Sequence, residues 1–339
     1  MKRLLTIFLI VLINSALLFA GDASRKGTTG AEQLLIPVGA RSIATAGSFI
    51  ANVRGVESIY YNPAGLDFTQ RSEAMFDYMD YIADIDLVTI AVGANLGDLG
   101  SFGFSFRSIN FGDIPVTTNL APDGTGSTFS PAFYVAGLTY SKVITDRVSA
   151  GVNFKLIHEG IMNTSANAIA LDFGVQYQFN PNFSLGVVAK NIGSNMQYTG
   201  QDLQVKSNVP NTNPGSTQGA FEPVTDDIQL PSYFQLSFAY MFNMDEANNL
   251  MLGAAFTNNN AFEDKANLGL EYNWSNSIFI RGGYDLLLEN TDENIYGFTA
   301  GAGVEYEMSN NLGFVLDYAY RDVQEFSANH VFTMKLILN

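Results

Sequence analysis

From Glu73 to the carboxy terminus, apolar and polar residues alternate with a period of two. Phe234, Leu236, Phe238, Tyr240 and Phe242 alternate with Gln235, Ser237, Ala239 and Met241. Ile169, Leu171, Phe173, Val175, Tyr177 and Phe179 alternate with Ala170, Asp172, Gly174, Gln176 and Gln178. A helix would bring apolar residues together three and four apart, and these stretches do not. Fourteen strands are predicted, near 72–83, 85–96, 101–111, 128–142, 148–159, 166–179, 183–193, 230–242, 249–257, 265–274, 277–287, 295–307, 312–321 and 328–338. Tight connections (97–100, 143–147, 180–182, 243–248, 275–276, 309–311) alternate with mostly longer ones (112–127, 160–165, 194–229, 258–263, 288–294). Short periplasmic turns, longer outside loops and an even strand number are the pattern of an all-β, antiparallel barrel spanning an outer membrane. Phe102, Phe179, Phe183, Phe242, Trp274 and Tyr306 stand beside the tight turns, where an interfacial aromatic girdle is expected. A secreted propeller or sandwich fits less well, because neither a blade-length repeat nor matched apolar faces are present.

Composition sharpens this picture at three points. Charged residues are only 15% of the chain, as suits strands with a lipid-facing side. The net charge of −16 argues against a nucleic-acid partner, which needs a basic face. With no cysteine, disulfides, thiolate metal sites and a lipoprotein anchor are excluded. Met1-Lys-Arg3, the apolar run Leu4–Ile13 and Ala16–Ala20 have the layout of a secretory signal peptide covering 1–20, with cleavage after Ala23 as an alternative. Its removal takes away Lys2 and Arg3 and no acid, moving the net charge from −16 to −18. No later apolar run is long enough for a transmembrane helix, so a membrane location requires a closed barrel.

Residues 21–71 do not alternate. They are rich in small side chains and close with Asn62-Pro63-Ala64-Gly65-Leu66, where Pro63 fixes its own φ and Gly65 allows a sharp redirection into the first strand. A fourteen-stranded barrel has a bore wider than its own side chains fill, so this segment is expected to lie in the lumen as a hatch, ahead of the barrel at 72–339. The stretch Val38-Gly39-Ala-Arg41-Ser-Ile43-Ala-Thr-Ala46-Gly47-Ser-Phe49-Ile50-Ala51, followed by Ser58-Ile59-Tyr60-Tyr-Asn62-Pro63-Ala64-Gly65-Leu66, resembles the amino-terminal signature of PorV/PorQ-family outer-membrane proteins, relatives of the FadL fatty acid transporter. The resemblance implies a fourteen-stranded barrel with an amino-terminal hatch and a link to type IX secretion, in which a family member shuttles or releases cargo at the translocon. Ile43–Ala46 stands where a Gly-Met-Gly-like stretch is expected. Asn339 replaces a terminal aromatic, so the barrel-assembly machinery would meet an imperfect terminal signal.

No enzymatic constellation emerges. His158 and His330 are the only histidines, and neither has a nucleophile at a telling spacing. Asp77, Asp80, Asp84 and Asp86 do not match a calcium loop and read as a solvated outer hairpin tip; no metal and no cofactor are expected. The inferred lumen face carries Arg107, Lys155, Asp172, Lys190, Glu271, Arg281, Asp285, Glu305 and Asp317. Mixed signs suit a salt-bridged interior better than an ion-selective pore. Two functions stay open: an interaction or shuttle component that holds a translocon or secreted cargo through loops 112–127 and 194–229, and a FadL-like transporter of hydrophobic small molecules. The second needs apolar contacts between hatch and wall, for which Ile43, Phe49, Ile50, Ile59 and Tyr60 are the candidates.

Overall fold

The computed structural model describes residues 25–209, 213, 218–309 and 312–338; the expected signal peptide lies outside them. Fourteen long strands form the wall. They are β1 (Ser72–Asp80), β2 (Asp86–Asn95), β3 (Ser101–Asn110), β4 (Ala132–Thr145), β5 (Val148–Ile161), β6 (Thr164–Asn180) and β7 (Phe183–Gly193). The second half adds β8 (Tyr233–Asn243), β9 (Asn249–Asn259), β10 (Lys265–Trp274), β11 (Ile278–Leu287), β12 (Tyr296–Ser309), β13 (Leu312–Val323) and β14 (Asn329–Leu338). Each pairs antiparallel with the next, and β14 returns to β1 through Phe76↔Met334, so the wall has no free edge. Closure is what lets a sheet cross lipid, where an unpaired backbone group finds no partner. No helix among the described residues is long and apolar enough to cross a membrane.

Period-two patterning decides which side of the wall each residue takes. On β3, Ser101, Ser105 and Arg107 are buried, whereas Phe102, Phe104 and Phe106 are exposed on the outer surface. The same holds on β14, where Thr333 and Ile337 turn inward and Phe332, Met334 and Leu336 outward. Three differences from the sequence reading have local causes. β5 and β6 run 14 and 17 residues, so the connection expected at 160–165 shrinks to two residues with Met162 at φ 52°. Residues 128–129 are not the start of β4; they pair with 114–115 in a separate ladder that extends the loop expected at 112–127, and 205–208 pair with 218–221 in another. Asp77 does not belong to a solvated tip: it sits mid-strand on β1, faces inward and is buried, while Asp80 and Asp84 are exposed.

One irregularity reshapes the inner surface. Between Leu171↔Ile192 and Phe173↔Ala189, Asp172 alone faces two residues of β7, Lys190 and Asn191. This β-bulge places Asn191 at φ 58° and turns both consecutive side chains inward, where strict alternation would send one outward.

The amino-terminal segment threads the bore. It contains short 3₁₀ pieces at Glu32–Leu35, Gly55–Tyr60 and Pro63–Gly65 and a short helix α1 at Ala40–Ala44. At the loop end, the Gly30 amide donates to the Gln229 carbonyl at 3.0 Å, and Thr29 bridges Gln229. At the tight-turn end, the Asp67 carboxylate accepts from the Val143 amide at 2.8 Å, Ser101 Oγ at 2.6 Å and Asn95 Nδ2 at 3.1 Å. The chain thus enters at the loops, crosses the lumen and turns into β1.

Candidate functional site

Inside the barrel, wall and segment meet so closely that glycine is required at the contacts. A Cβ on Gly301 would lie 2.5 Å from Ala44, on Gly283 2.6 Å from the Ala46 amide, on Gly269 2.6 Å from the Thr45 carbonyl and on Gly186 2.6 Å from Ala51. On Gly103 it would lie 2.7 Å from Ile59, and on Gly93 2.8 Å from Leu66. Gly151, Gly174 and Gly253 are approached at least as tightly by Pro63, Asn62 and Phe49. Several of these glycines face one another across the ladders, as Gly93↔Gly103, Gly151↔Gly174 and Gly253↔Gly269↔Gly283. The result is a belt of bare backbone around the inner wall, against which the segment coils.

The Asn-Pro-Ala-Gly turn is stapled to this belt. Asn62 Nδ2 donates to the carbonyls of Ile50 (3.2 Å) and Val175 (3.1 Å), while its Oδ1 accepts from the Ala64 amide at 3.2 Å. Ser141 and Ser149 donate to the Ala64 carbonyl at 3.0 and 2.7 Å. Gly65 is pressed against the Val53 carbonyl, where no Cβ fits. Gln176, which sequence reasoning did not single out, donates to the carbonyls of Ile50 (3.0 Å) and Val53 (2.9 Å). Phe49 and Ile50 are therefore wall-packing residues. At the other motif, Gly39 and Gly47 take φ 86° and 67°, and Ala46 is forced to φ 52° where the sequence departs from the expected glycine-rich stretch.

A charged circuit joins segment to wall. Arg41 grips Glu271 with two bonds (2.8 and 3.0 Å), Glu271 also meets Arg281 at 2.6 Å, and Arg281 reaches Asp317 at 2.6 Å. Lys335 links Asp317 (3.6 Å) to Glu57 (2.9 Å), and Glu57 accepts from the Ser42 amide and hydroxyl at 3.0 and 2.6 Å, next to Arg41. Three cations and three carboxylates balance, which burial demands. Burial opposes ionisation of Glu57, but Lys335, Arg41 and Ser42 overcome it and hold its carboxyl at about 2. Glu57 escaped the sequence reading because it belongs to no motif and no strand. Asp285 meets Arg321 at 3.7 Å outside this circuit, and Glu305 shares the inward register opposite Val315 but is only half-buried.

Toward the loops the packing opens into a cavity of about 780 Å³. Ile43, Ile59 and Tyr60 line it, Phe49 and Ile50 do not. On one side stand Arg107, Lys155, Asp172 and Lys190. Lys155 pairs with Asp172 at 2.7 Å, Arg107 donates to the Gln33 carbonyl at 2.8 Å and lies 5.7 Å from the Tyr60 ring, and Lys190 donates to the Tyr60 carbonyl. Among the described residues no cluster of potential metal ligands occurs. His158 stacks on Tyr134 with ring centroids 4.5 Å apart and bonds to Asn167, while His330 bonds to Tyr318.

A closed fourteen-stranded wall with outward aromatics and a polar interior defines an outer-membrane β-barrel of FadL-like architecture. The fold is similar to the CymD monoaromatic hydrocarbon channel (TM-score 0.54, 12% identity, 90% of this chain and 98% of that one). It is similar to a Pseudomonas aeruginosa FadL homologue (0.52, 13%, 89% and 98%) and to the Pseudomonas putida toluene transporter TodX (0.54, 13%, 89% and 97%). At such identities the likeness is one of fold. No curated protein matches the sequence. The model of the type IX secretion system membrane proteins PorP/SprF matches residues 136–336, and the chain belongs to that family. PorV and PorQ, which the amino-terminal signature resembles, are not the proteins this match names.

Proposed function

We propose that this barrel is a non-enzymatic interaction component of type IX secretion, exported on a cleaved signal peptide, inserted by the barrel-assembly machinery, and presenting loops 112–127 and 194–229 to the translocon or to secreted cargo. Residues 21–71 serve as a hatch that keeps the bore closed while the loops work. The observation that carries this reading, beside family membership, is the belt of glycines and the charged circuit that seat the segment against the wall. A barrel so filled is suited to holding partners at its rim, and long polar loops on a rigid scaffold supply the surface. The test is pull-down of a tagged copy from its native envelope. Translocon components or secreted cargo should co-purify and be lost when 194–229 is shortened while heat-modifiable mobility is kept. Normal secretion by a deletion strain would sink the proposal.

The second reading, passage of hydrophobic small molecules, is favoured by the cavity beside Ile43, Ile59 and Tyr60 and by neighbours named for hydrocarbons and toluene. Restored uptake of toluene by a deletion strain carrying this gene would establish it.

A further inference from the structure

The outer surface of the wall is not evenly filled. On the lipid-facing side, Val304, Leu316, Met334 and Phe76 form one cross-strand row over β12, β13, β14 and β1. The next row toward the loops runs through Ala302, Tyr318 and Phe332. Ala302 gives that row no bulk, and between the two rows lies an outward slot of about 300 Å³. Asp317 and Thr333 send their side chains inward to Arg281 and Asp77, so apart from the Tyr318 hydroxyl the side chains facing the slot are apolar. At the loop end of the slot the surface turns polar. The Tyr318 hydroxyl and His330 Nδ1 are 2.8 Å apart, which spends one of the pair's two hydrogens and leaves one donor at the outer surface. Asp80 is exposed and stands directly opposite both His330 and Asp86, although like charges so placed are unfavourable. Asp86 accepts from Tyr78 at 2.6 Å and Asp322 from Tyr320 at 3.4 Å. No lysine or arginine takes an outward position on β1, β2, β13 or β14, since Arg321 and Lys335 turn inward to Asp285 and Glu57.

From this arrangement we infer a lipid-binding site on the outside of the wall: the slot holds one acyl chain of an aminophospholipid. Its ester carbonyl accepts the donor left on the Tyr318–His330 pair, and its ammonium meets Asp80 and Asp322. The slot is continuous with the apolar band that faces lipid, which makes a lipid chain its occupant. Charge chooses the head. Three carboxylates with no cation among them disfavour a lipid of net negative charge and suit an ammonium, to which charge-assisted bonds are the strong ones. The lipid so held spans the junction of β14 with β1, joining the last strand to the first on the outside. The site stands whether the barrel serves secretion or uptake, since it uses neither the bore nor the long loops.

Native mass spectrometry of the detergent-purified, delipidated barrel tests it, with dioleoyl phosphatidylethanolamine, dioleoyl phosphatidylglycerol and lipid A added at equal concentration. The ethanolamine lipid should give a single retained adduct, about tenfold more abundant than that of either anionic lipid. Ala302→Leu, which fills the slot from its lipid side, and Asp80→Asn, which removes the exposed charge, should each lower that adduct about tenfold. His330→Phe keeps a ring but loses the donor, and should lower it too. Ala254→Leu, the same exchange on the outer face of β9, should leave it unchanged. Asp80→Asn, at the end of β1, stands in if Ala302→Leu fails to fold. Equal retention of all three lipids would mean annular lipid only and would overturn the site. Tighter binding of lipid A, or an unchanged adduct in both Ala302→Leu and Asp80→Asn, would overturn it as well.

Discussion

The amino-terminal segment has two parts held in different ways. Residues 40–66 approach wall backbone closely at a belt of glycines, and side-chain bonds from Ser141, Ser149 and Gln176 and the balanced circuit through Arg41 and Glu57 pin them further. Residues 25–38 meet side chains and loops instead: Ala31 and Leu34 pack with Met196, Ile157 and Leu230, and Lys26 pairs with Glu263. Backbone contacts admit no adjustment, whereas side chains can rotate to accommodate a change. The inner part is thus set rigidly in place, and the outer part is where the cavity has room to vary.

The comparison breaks first, and most severely, at the circuit. Glu57→Ala leaves Lys335 and Arg41 short of a counter-charge and should cost about 3–5 kcal/mol, measured as lost heat-modifiable mobility at lower temperature. Next comes a pair of adjacent glycines. Gly283→Ala forces a Cβ onto the Ala46 amide at 2.6 Å and should cost about 1–3 kcal/mol, whereas Gly282, whose nearest neighbour would be 3.8 Å away, should tolerate alanine unchanged. Acid should act in the same direction more gently. Because the Glu57 carboxyl is held at about 2 in the folded protein, against an ordinary 4.5, its contribution is complete above pH 4.5 and falls away toward pH 2, so unfolding temperature should drop across that window. Smallest of all, Lys26→Ala removes a partly exposed ion pair at the mouth and should change stability by less than about 1 kcal/mol. The absence of cysteine permits one sharpening experiment. Thr28→Cys should react with an impermeant maleimide on intact cells, and Asp146→Cys, at a tight turn, only after the outer membrane is opened.

The wall was legible because alternation along a strand reports its two faces directly. All fourteen strands lie where the period of two placed them, and Arg107, Lys155, Asp172, Lys190, Glu271, Arg281, Asp285 and Asp317 are buried inside. What escaped depends on position in three dimensions. Glu57 acquires its counter-ion Lys335 only when β14 arrives across 278 residues of sequence. Phe49 is as apolar as Ile43, but only the closed barrel decides that one meets Gly253 and the other the cavity. Asp77 reads in sequence as one of an acidic run, yet strand parity sets it inside beside Thr333. The wall glycines had a readable signal after all, in that several occupy inward positions opposite one another on adjacent strands.

The seam where β14 meets β1 has a consequence for how the molecule is made. A coil whose atoms press on the glycine backbone of at least eight strands has no clearance there for being drawn lengthwise through a finished tube. Joining first staves to last over a thread already lying in place demands no such passage. Synthesis delivers the thread before any stave and the sealing stave after the other thirteen, so the order of translation is also the order in which the vessel can be coopered.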